Sequence, residues 1–559
     1  MEAAAAADEE KRPLLLRLQP SSKDDDDGSN GGGGGWRACL LILGTELSDC
    51  LAFAGIARNL VSYLTGVLGE SNVAAARDVS AWTGTCFLTP LVGAFMADSY
   101  WGRRTTVVVF LSVYTIGMIT LTLSASFATP HHASSDGEAS RGVFRAAVYL
   151  GLYLIALGVG GIKPCASPLG ADQFCDAAPA ERASFFNWYY FCVNVGALLA
   201  STVLVWVQDR AGWWLGFGIP AATMAVALGV FVAGARLCGL RTAQKPRGSP
   251  LTTLCQVVVA AIRKRGVELP DDRSLLHHQL PDGDHRVIEH TDQFEFFDKA
   301  AVVDSASLAA ASPWRLCTVT QVEELKLLLR LSSVWPTVVF FFAVTAQMSS
   351  TFVEQGKAMN TRVGPVAVPP ATLSTFEVVS ILLWVPAYDA VLVPLARRVT
   401  GHPRGLSQLQ RLGVGLALSA LAMAYSALLE ARRRAASKPT SIMWQAPSYM
   451  VLGAAEVFTS VGLLEFFYDQ APDAMKSLCT AVSLVAVAAG SYLNSAIVAV
   501  VAWSTAPANG GGGGGWIPDD LNQGRLDCFV WLMAGLSSVN LLAFVFSSMR
   551  YSYKDANSH

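Results

Sequence analysis

Six carboxylate, ammonium and thiol positions are written into stretches that are otherwise too apolar to hold charge. Glu46, Asp49 and Cys50 fall within residues 38–64, Lys163 within 146–168, and Glu456 and Glu465 within 443–467. At the centre of a bilayer an unpaired charge costs at least about 2.5–3.5 kcal/mol, so each of these needs a partner or a water-filled cavity. Carboxylates so placed can load and release protons. An ammonium can hold a carboxylate, whether one of these acids or one on a solute. Glu46, Asp49 and Cys50 stand at i, i+3 and i+4 and share one helical face. Lys163 follows Gly158-Val159-Gly160-Gly161-Ile162 and precedes Pro164, a small-residue stretch that lets helices approach closely and loosens the local backbone. The competing reading is a static structural ion pair. Glu456 and Glu465 are about half a turn out of phase on a straight helix and are not expected to line one cavity together.

The elements that must position these groups follow from hydropathy. Of 559 residues, 52% are hydrophobic and only 15% charged, against roughly 25% charged in soluble chains. The mean hydropathy is +0.39. Spans of about 20 apolar residues occur at 38–64, 80–98, 105–126, 146–168, 185–207, 213–237, 332–353, 373–395, 407–430, 443–467, 475–502 and 527–549. The expectation is an all-α membrane protein embedded in a lipid bilayer, with twelve transmembrane helices in two six-helix halves. Its parts are a disordered N-terminal tail (1–36), a first bundle (37–237), a hydrophilic linker (238–331), a second bundle (332–549) and a C-terminal tail (550–559). The linker carries Lys245, Arg247, Arg263-Lys264-Arg265, Arg273, Lys299 and Arg315, which places it and both termini in the cytosol. Arg103-Arg104 and Arg397-Arg398 agree with that orientation, whereas Arg432-Arg433-Arg434 and Lys438 fall on the opposite side. This layout is similar to that of the major facilitator transporters, whose site lies between the halves near the midplane.

Other function classes are excluded. A net charge of −2 leaves no basic excess for nucleic acid. The eleven cysteines lie mostly in apolar runs without a CxxC pair and read as buried thiols, not as a disulfide or metal framework. No nucleophile–base pair, metal spacing or phosphate loop occurs outside the membrane, so the chain is not expected to be an enzyme or to carry a cofactor or metal. His131, His132, His277 and His278 lie in hydrophilic loops and read as solvated. The tail lacks a signal-peptide pattern. Its Glu10-Lys11-Arg12-Pro13-Leu14-Leu15 fits the acidic dileucine pattern of sorting adaptors, with Glu10, Leu14 and Leu15 as the contacts, and tilts the expected location from the plasma membrane toward the vacuolar membrane. Gly510–Gly515 reads as a flexible loop.

Several motifs carry a more specific resemblance. Gly93-Ala94-Phe95-Met96-Ala97-Asp98-Ser99-Tyr100-Trp101-Gly102-Arg103-Arg104 looks like the facilitator loop between spans two and three. Phe185-Phe186-Asn187-Trp188-Tyr189-Tyr190-Phe191-Cys192-Val193-Asn194-Val195-Gly196 resembles a peptide-transporter signature. Gly160–Cys165, Gly170–Phe174, Trp384–Asp389, Gly453–Phe458 and Leu464–Tyr468 match as well, as do the linker segments Ile288–Asp292 and Cys317–Lys326. From about 40 to 550 the chain resembles the plant nitrate/peptide transporter family, the proton-coupled oligopeptide branch, and within it the di- and tripeptide-type subgroup. The resemblance implies Lys163, Glu465, Tyr190, Asn194, Gln347 and Trp384 as substrate-binding candidates, with Glu465 facing Lys163 across a cavity. It implies Glu46, Asp49 and Glu465 as proton carriers, and Asp98, Arg103 and Arg104 as a gating latch.

The departures matter too. The family pattern ExxER reads here Glu46-Leu47-Ser48-Asp49-Cys50, so the second acid is shortened and the arginine is gone. Phe53 and Ala54 replace two tyrosines of peptide-type members. Arg58 lies on the same face two turns further along. Thr345 stands where nitrate-transporting members place a histidine. Phe87, Tyr189, Tyr190, Trp384 and Tyr388 are aromatic candidates for a cavity wall. Three readings follow: a proton-coupled symporter of small peptides or similar organic solutes, a transporter of nitrate or other metabolites with altered coupling, and a receptor that binds solute without moving it.

Overall fold

The computed structural model describes residues 35–553 apart from 71, 128–137, 175–178, 238–239, 241–248, 271–275, 278–287, 289, 304–311, 364, 402–404, 437–438, 506–515 and 517–523. The dileucine-like motif, the second glycine run and His131, His132 and His278 lie outside the described residues. Eleven described helices are long and apolar enough to cross a membrane, and Asn72–Met96 supplies a twelfth crossing. The first half consists of α1 (Gly35–Ala57), α2 (Asn72–Met96), α3 (Arg103–Phe127), α4 (Glu138–Ala171), α5 (Ala180–Ala211) and α6 (Trp213–Leu237). The second consists of α7 (Val319–Thr345), α8 (Ser374–Thr400), α9 (Gln408–Ala435), α10 (Ile442–Gln470), α11 (Asp473–Thr505) and α12 (Leu526–Met549).

Each half buries its own apolar side chains. In the first, α4 lies against α2 and α3, and α6 against α1 and α3. In the second, α9 lies against α10 and α12, and α11 against α7. The halves meet along α2 with α11, α4 with α11, and α5 with α8. Alternation of the spans puts the described parts of the 238–318 linker, the α2–α3 turn, the α4–α5 and α10–α11 connections, the start of α1 and the end of α12 together at what we call the linker end. The α1–α2, α7–α8 and α9–α10 connections define the far end, where a short antiparallel hairpin pairs Arg362 with Ala367 and Val363 with Val366.

Among the described residues, four helices contain a π-helical turn, at Ala97–Trp101, Ala200–Leu204, Tyr388–Leu392 and Val457–Val461. One extra residue per turn shifts the phase of everything beyond it, which is why such turns cluster where side chains are re-aimed.

Among the boundaries that differ from the hydropathy reading, two rest on specific side-chain contacts. The first span breaks at Arg58, after Ala57, and resumes as a short helix at Leu60–Gly66. Asn59 fixes the break by donating to Gln208 and Asp209 at 3.2 and 3.1 Å. α7 begins at Val319 and not at 332, capped by a reciprocal Thr318–Gln321 box. Its first turns carry charges that hydropathy counts as loop, yet they are buried and matched. Lys326 meets Asp298 at 2.7 Å and Glu323 at 2.9 Å, while Glu323 accepts from Thr291 N and Oγ1. The linker is thereby docked onto α7, together with a helix at Pro250–Arg263.

The basic run that conflicts with the charge rule is neutralised locally. Arg433 pairs with Glu430 at 2.7 Å, Arg434 with Asp527, and Arg432 lies 4.7 Å from the centre of the Trp444 ring. The nine described cysteines are free thiols.

Candidate functional site

Glycine packing sets the position of the lysine. A Cβ on Gly93 of α2 would lie 2.1 Å from the carbonyl oxygen of Gly160, and one on Gly161 would strike the Phe110 ring. α2, α3 and α4 therefore close around the 158–161 stretch, and the next turn of α4 delivers Lys163 inward. Its ammonium meets Asp49 Oδ2 at 2.8 Å and lies 5.4 Å from the centre of the Phe53 ring, with the side chain 14% exposed. Asp49 is fully enclosed and Glu46 nearly so. Cys50 reaches Glu46 Oε1 at 3.7 Å, and Tyr189 faces the same acid. Glu46 Oε2 and Asp49 Oδ1 have no hydrogen-bond partner. A guanidinium at position 50 would have supplied donors here; the thiol supplies one weak one.

The α10 acids sit elsewhere. Glu456 accepts from Tyr190 Oη at 2.5 Å, whereas Glu465 lies 3.8 Å from Arg411 of α9. The π turn between them absorbs one residue and reduces their offset from half a turn to roughly 80°. They remain separated along the axis, so each reaches a different layer. Arg411, itself stacked 4.0 Å over Tyr388 and donating to Asn187 Oδ1 at 2.8 Å, claims Glu465.

Between the halves lies a cavity of about 650 Å³ that runs from mid-membrane to the far end. Its wall includes Arg58, Tyr190, Thr345, Glu377, Glu456 and Ser460. Arg58 and Glu377 are the groups the sequence reading did not place there. Arg58 becomes accessible because α1 breaks at it. Glu377 occupies the first α8 turn and reads in sequence as an ordinary polar helix end.

The other candidates are distributed as follows. Asn194 donates back to Tyr190 O at 2.9 Å within α5. Gln347 is wholly enclosed, donating to Asn494 Oδ1 at 2.5 Å and accepting from Thr351, so it faces protein and not the cavity. Trp384 is exposed, tilted against Phe458, and outside the cavity wall. Phe87 meets Phe53 edge-on.

The linker end is closed by contacts joining the halves. Arg103 pairs with Asp172 and lies 3.9 Å from Asp98, and its Nε donates to Ser477 of α11 at 3.0 Å. Asp172 also accepts from Tyr468 at 2.7 Å, and Leu478 N donates to Asp98 at 2.8 Å. Asp389 accepts from Ser184, Asn187 and Trp188, and Arg182 lies 3.5 Å from Asp469. Arg104 is half-buried and forms no ion pair among the described residues.

Two pseudo-equivalent helical halves, a charged cavity between them and a latch at one end define a membrane transporter of the major facilitator fold. Residues 104–516 match the POT family (PTR2), and the chain belongs to that family. It is similar to NRT1/PTR FAMILY 8.3 of Arabidopsis thaliana, 49% identical over 547 residues, covering 94% of this chain and 92% of the relative. It is likewise similar to NRT1/PTR FAMILY 8.5 of the same plant, 47% identical over 540 residues, covering 93% and 90%. Among solved structures it shares the fold of an auto-inhibited POT family peptide transporter (TM-score 0.57, 23% identity, 94% of this chain and 99% of that one) and of the POT family transporter PepTSo (TM-score 0.59, 21% identity, 92% and 98%).

Proposed function

We propose that this transporter carries di- and tripeptides, or similar small zwitterions, together with protons by alternating access. The observation that carries the reading is the dipolar cavity: Arg58 of the first half stands across from Glu377 and Glu456 of the second, in a space of about 650 Å³, the size range of small-molecule sites. A solute's carboxylate meets Arg58 and, when Asp49 is protonated, Lys163. Its ammonium meets Glu456 and Glu377, with Tyr190 fixing the acid. Protonation of Asp49 or Glu46 loosens the Lys163 ion pair and frees its ammonium, which couples proton and solute. Thr345 lines the cavity where a nitrate site of this family would place a histidine, which supports an organic solute over nitrate. The similarity to proteins named as peptide transporters points the same way.

The linker end, with both termini, faces the cytosol in this reading, supported by its basic residues and by the local neutralisation of the far-end arginines. The latch of Asp98, Arg103 and Asp172 is then the cytosolic gate, closed in this structure. Uptake of a radiolabelled dipeptide into oocytes at acid and neutral pH tests the proposal; flux that rises at acid pH is expected. Absence of pH-dependent flux for dipeptides, amino acids and nitrate alike refutes it. Cys50 favours one variant, transport with loosened coupling, in which dipeptide flux persists without pH dependence and Cys50→Arg restores that dependence.

A further inference from the structure

Two carboxyl groups, Glu377 of α8 and Glu456 of α10, line the cavity on helices other than the one that carries Glu46 and Asp49. A Cβ on Gly453 of α10 would lie 2.6 Å from the carbonyl oxygen of Glu377 and 2.9 Å from Ser380 Cβ, so the backbones of α8 and α10 rest directly on one another at this level. Glu456, one turn beyond Gly453, is thereby brought close enough to Glu377 for the two carboxyl groups to interact, and both line the same stretch of cavity wall. Two carboxylates held side by side repel each other, and one shared proton replaces that repulsion with an O–H···O hydrogen bond. Tyr190 cannot be the donor between them, because its single hydroxyl hydrogen lies on Glu456 Oε1 at 2.5 Å.

The surroundings give the same charge count. Arg58, arriving from the end of α1, is the cation facing the pair. Tyr190 of α5 and Tyr449 of α10 are the neutral titratable neighbours, with the Tyr449 hydroxyl donating to Met348 O at 3.1 Å. Ser460 adds a neutral hydroxyl to the wall. One guanidinium balances two carboxyl groups when the pair holds a single proton.

We infer that Glu377 and Glu456 share one proton in the empty, far-end-open cavity, and that a solute's ammonium displaces it. The second half of this inference rests on the transport reading above. On docking, the ammonium brings one positive charge to the two acids; the shared proton leaves Glu377 or Glu456 for cavity water, and two carboxylates then face two cations, the ammonium and Arg58. The pair is thus a proton site distinct from Glu46 and Asp49, and it ties the number of protons carried to the charge of the solute. An amine-bearing solute carries one proton fewer than the same solute with its amine acylated.

Infrared difference spectroscopy on the solute-free purified transporter tests the first half without any substrate. Wild type minus Glu377→Gln, near neutral pH, should show loss of a carboxylic C=O band that shifts in heavy water. Loss of carboxylate bands alone overturns the shared proton. Glu456→Gln serves as the second variant should the first misfold, with folding checked by size exclusion and thermal melting. Calorimetry of a dipeptide in two buffers of different ionisation enthalpy tests the second half. Release of about one proton per dipeptide bound, absent in Glu377→Gln and absent for the N-acetylated dipeptide, is expected. Binding without release, or release unchanged in the variant, overturns the displacement. Absence of dipeptide binding overturns it together with the peptide reading, while the infrared result stands by itself.

Discussion

Replacing Tyr468 by Phe removes one oxygen from the closed gate and little else. The Tyr468 hydroxyl of α10 donates to Asp172 Oδ1 at 2.7 Å, across the boundary between the halves. The ring keeps its other contacts: Phe186 at 5.7 Å, with Lys476 and Arg182 over its face at 4.3 and 5.8 Å. A hydrogen bond to a charged group contributes about 1.5–3 kcal/mol, and this one exists only while the linker end is shut. Its loss therefore moves the closed-to-open equilibrium by roughly 10- to 150-fold toward the linker-open state. Fold stability falls far less, since Arg103 still holds Asp172. Hydrogen–deuterium exchange of detergent-solubilised or nanodisc protein reads the shift directly, because Leu478 N–H is bonded to Asp98 in the same latch. Exchange in peptides spanning 469–480 should accelerate about tenfold or more, while cavity-wall peptides near Arg58 and Ser374 slow. Unchanged exchange at 469–480, with an unchanged melting temperature, would mean that the latch does not set which end is open.

Other perturbations have equally definite outcomes. Lys163→Met strands Asp49 in an enclosed, unpaired state, and breaking such a pair costs about 3–5 kcal/mol; the melting temperature should drop sharply, and Asp49→Asn added to it should recover much of the loss. Gly453→Ala forces a methyl to within 2.6 Å of the Glu377 carbonyl, so thermal stability should fall by about 1–3 kcal/mol and the Glu377–Glu456 contact should part, read as loss of the carboxylic infrared band. Cys317 is buried in the linker, and burial pushes its thiol up to about 11. The thiolate therefore forms only as pH rises toward that value: at pH 7.5 maleimide should modify exposed Cys255 and spare Cys317, and equal labelling of both would refute the burial.

Hydropathy reads a bilayer solvent and little besides, which explains what it captured. Twelve apolar segments broken by one long polar linker specify the two-half layout, because every spanning backbone must satisfy itself internally. It did not register the first turns of α7: Glu323, Lys326 and Arg330 count as polar one by one but are matched by the linker once folded. Nor did it locate the break at Arg58, which depends on Asn59 finding Gln208 and Asp209 on a helix distant in sequence. In the site, Asp49 against Lys163 was legible from an isolated cation and a spaced pair of acids. Arg411 as a neighbour of Glu465 was not legible, because it stands at the edge of its span, where an arginine passes for an interfacial anchor. A π turn leaves no mark in the periodicity of so uniformly apolar a helix, so the phase of the α10 acids could not be read correctly from spacing.

The arginine missing from position 50 and the arginine present at position 58 belong to one argument. With Cys50 in place, the pocket around Glu46 and Asp49 has Lys163 as its cation, and two carboxylate oxygens go without a hydrogen bond. With Arg58 at the break in α1, a positive charge stands two turns further toward the far end, in the cavity and beside Glu377. The distance along the helix, roughly 12 Å for eight residues, prevents Arg58 from reaching Glu46, so it does not restore the lost ion pair. It instead gives the cavity its own balanced set of two acids, one base and a tyrosine. If protons enter through that set, Cys50→Arg should leave proton release on dipeptide binding intact, whereas Arg58→Gln should reduce it. Calorimetry on both variants separates the two routes, and proton release lost in Cys50→Arg but kept in Arg58→Gln would return the coupling to α1.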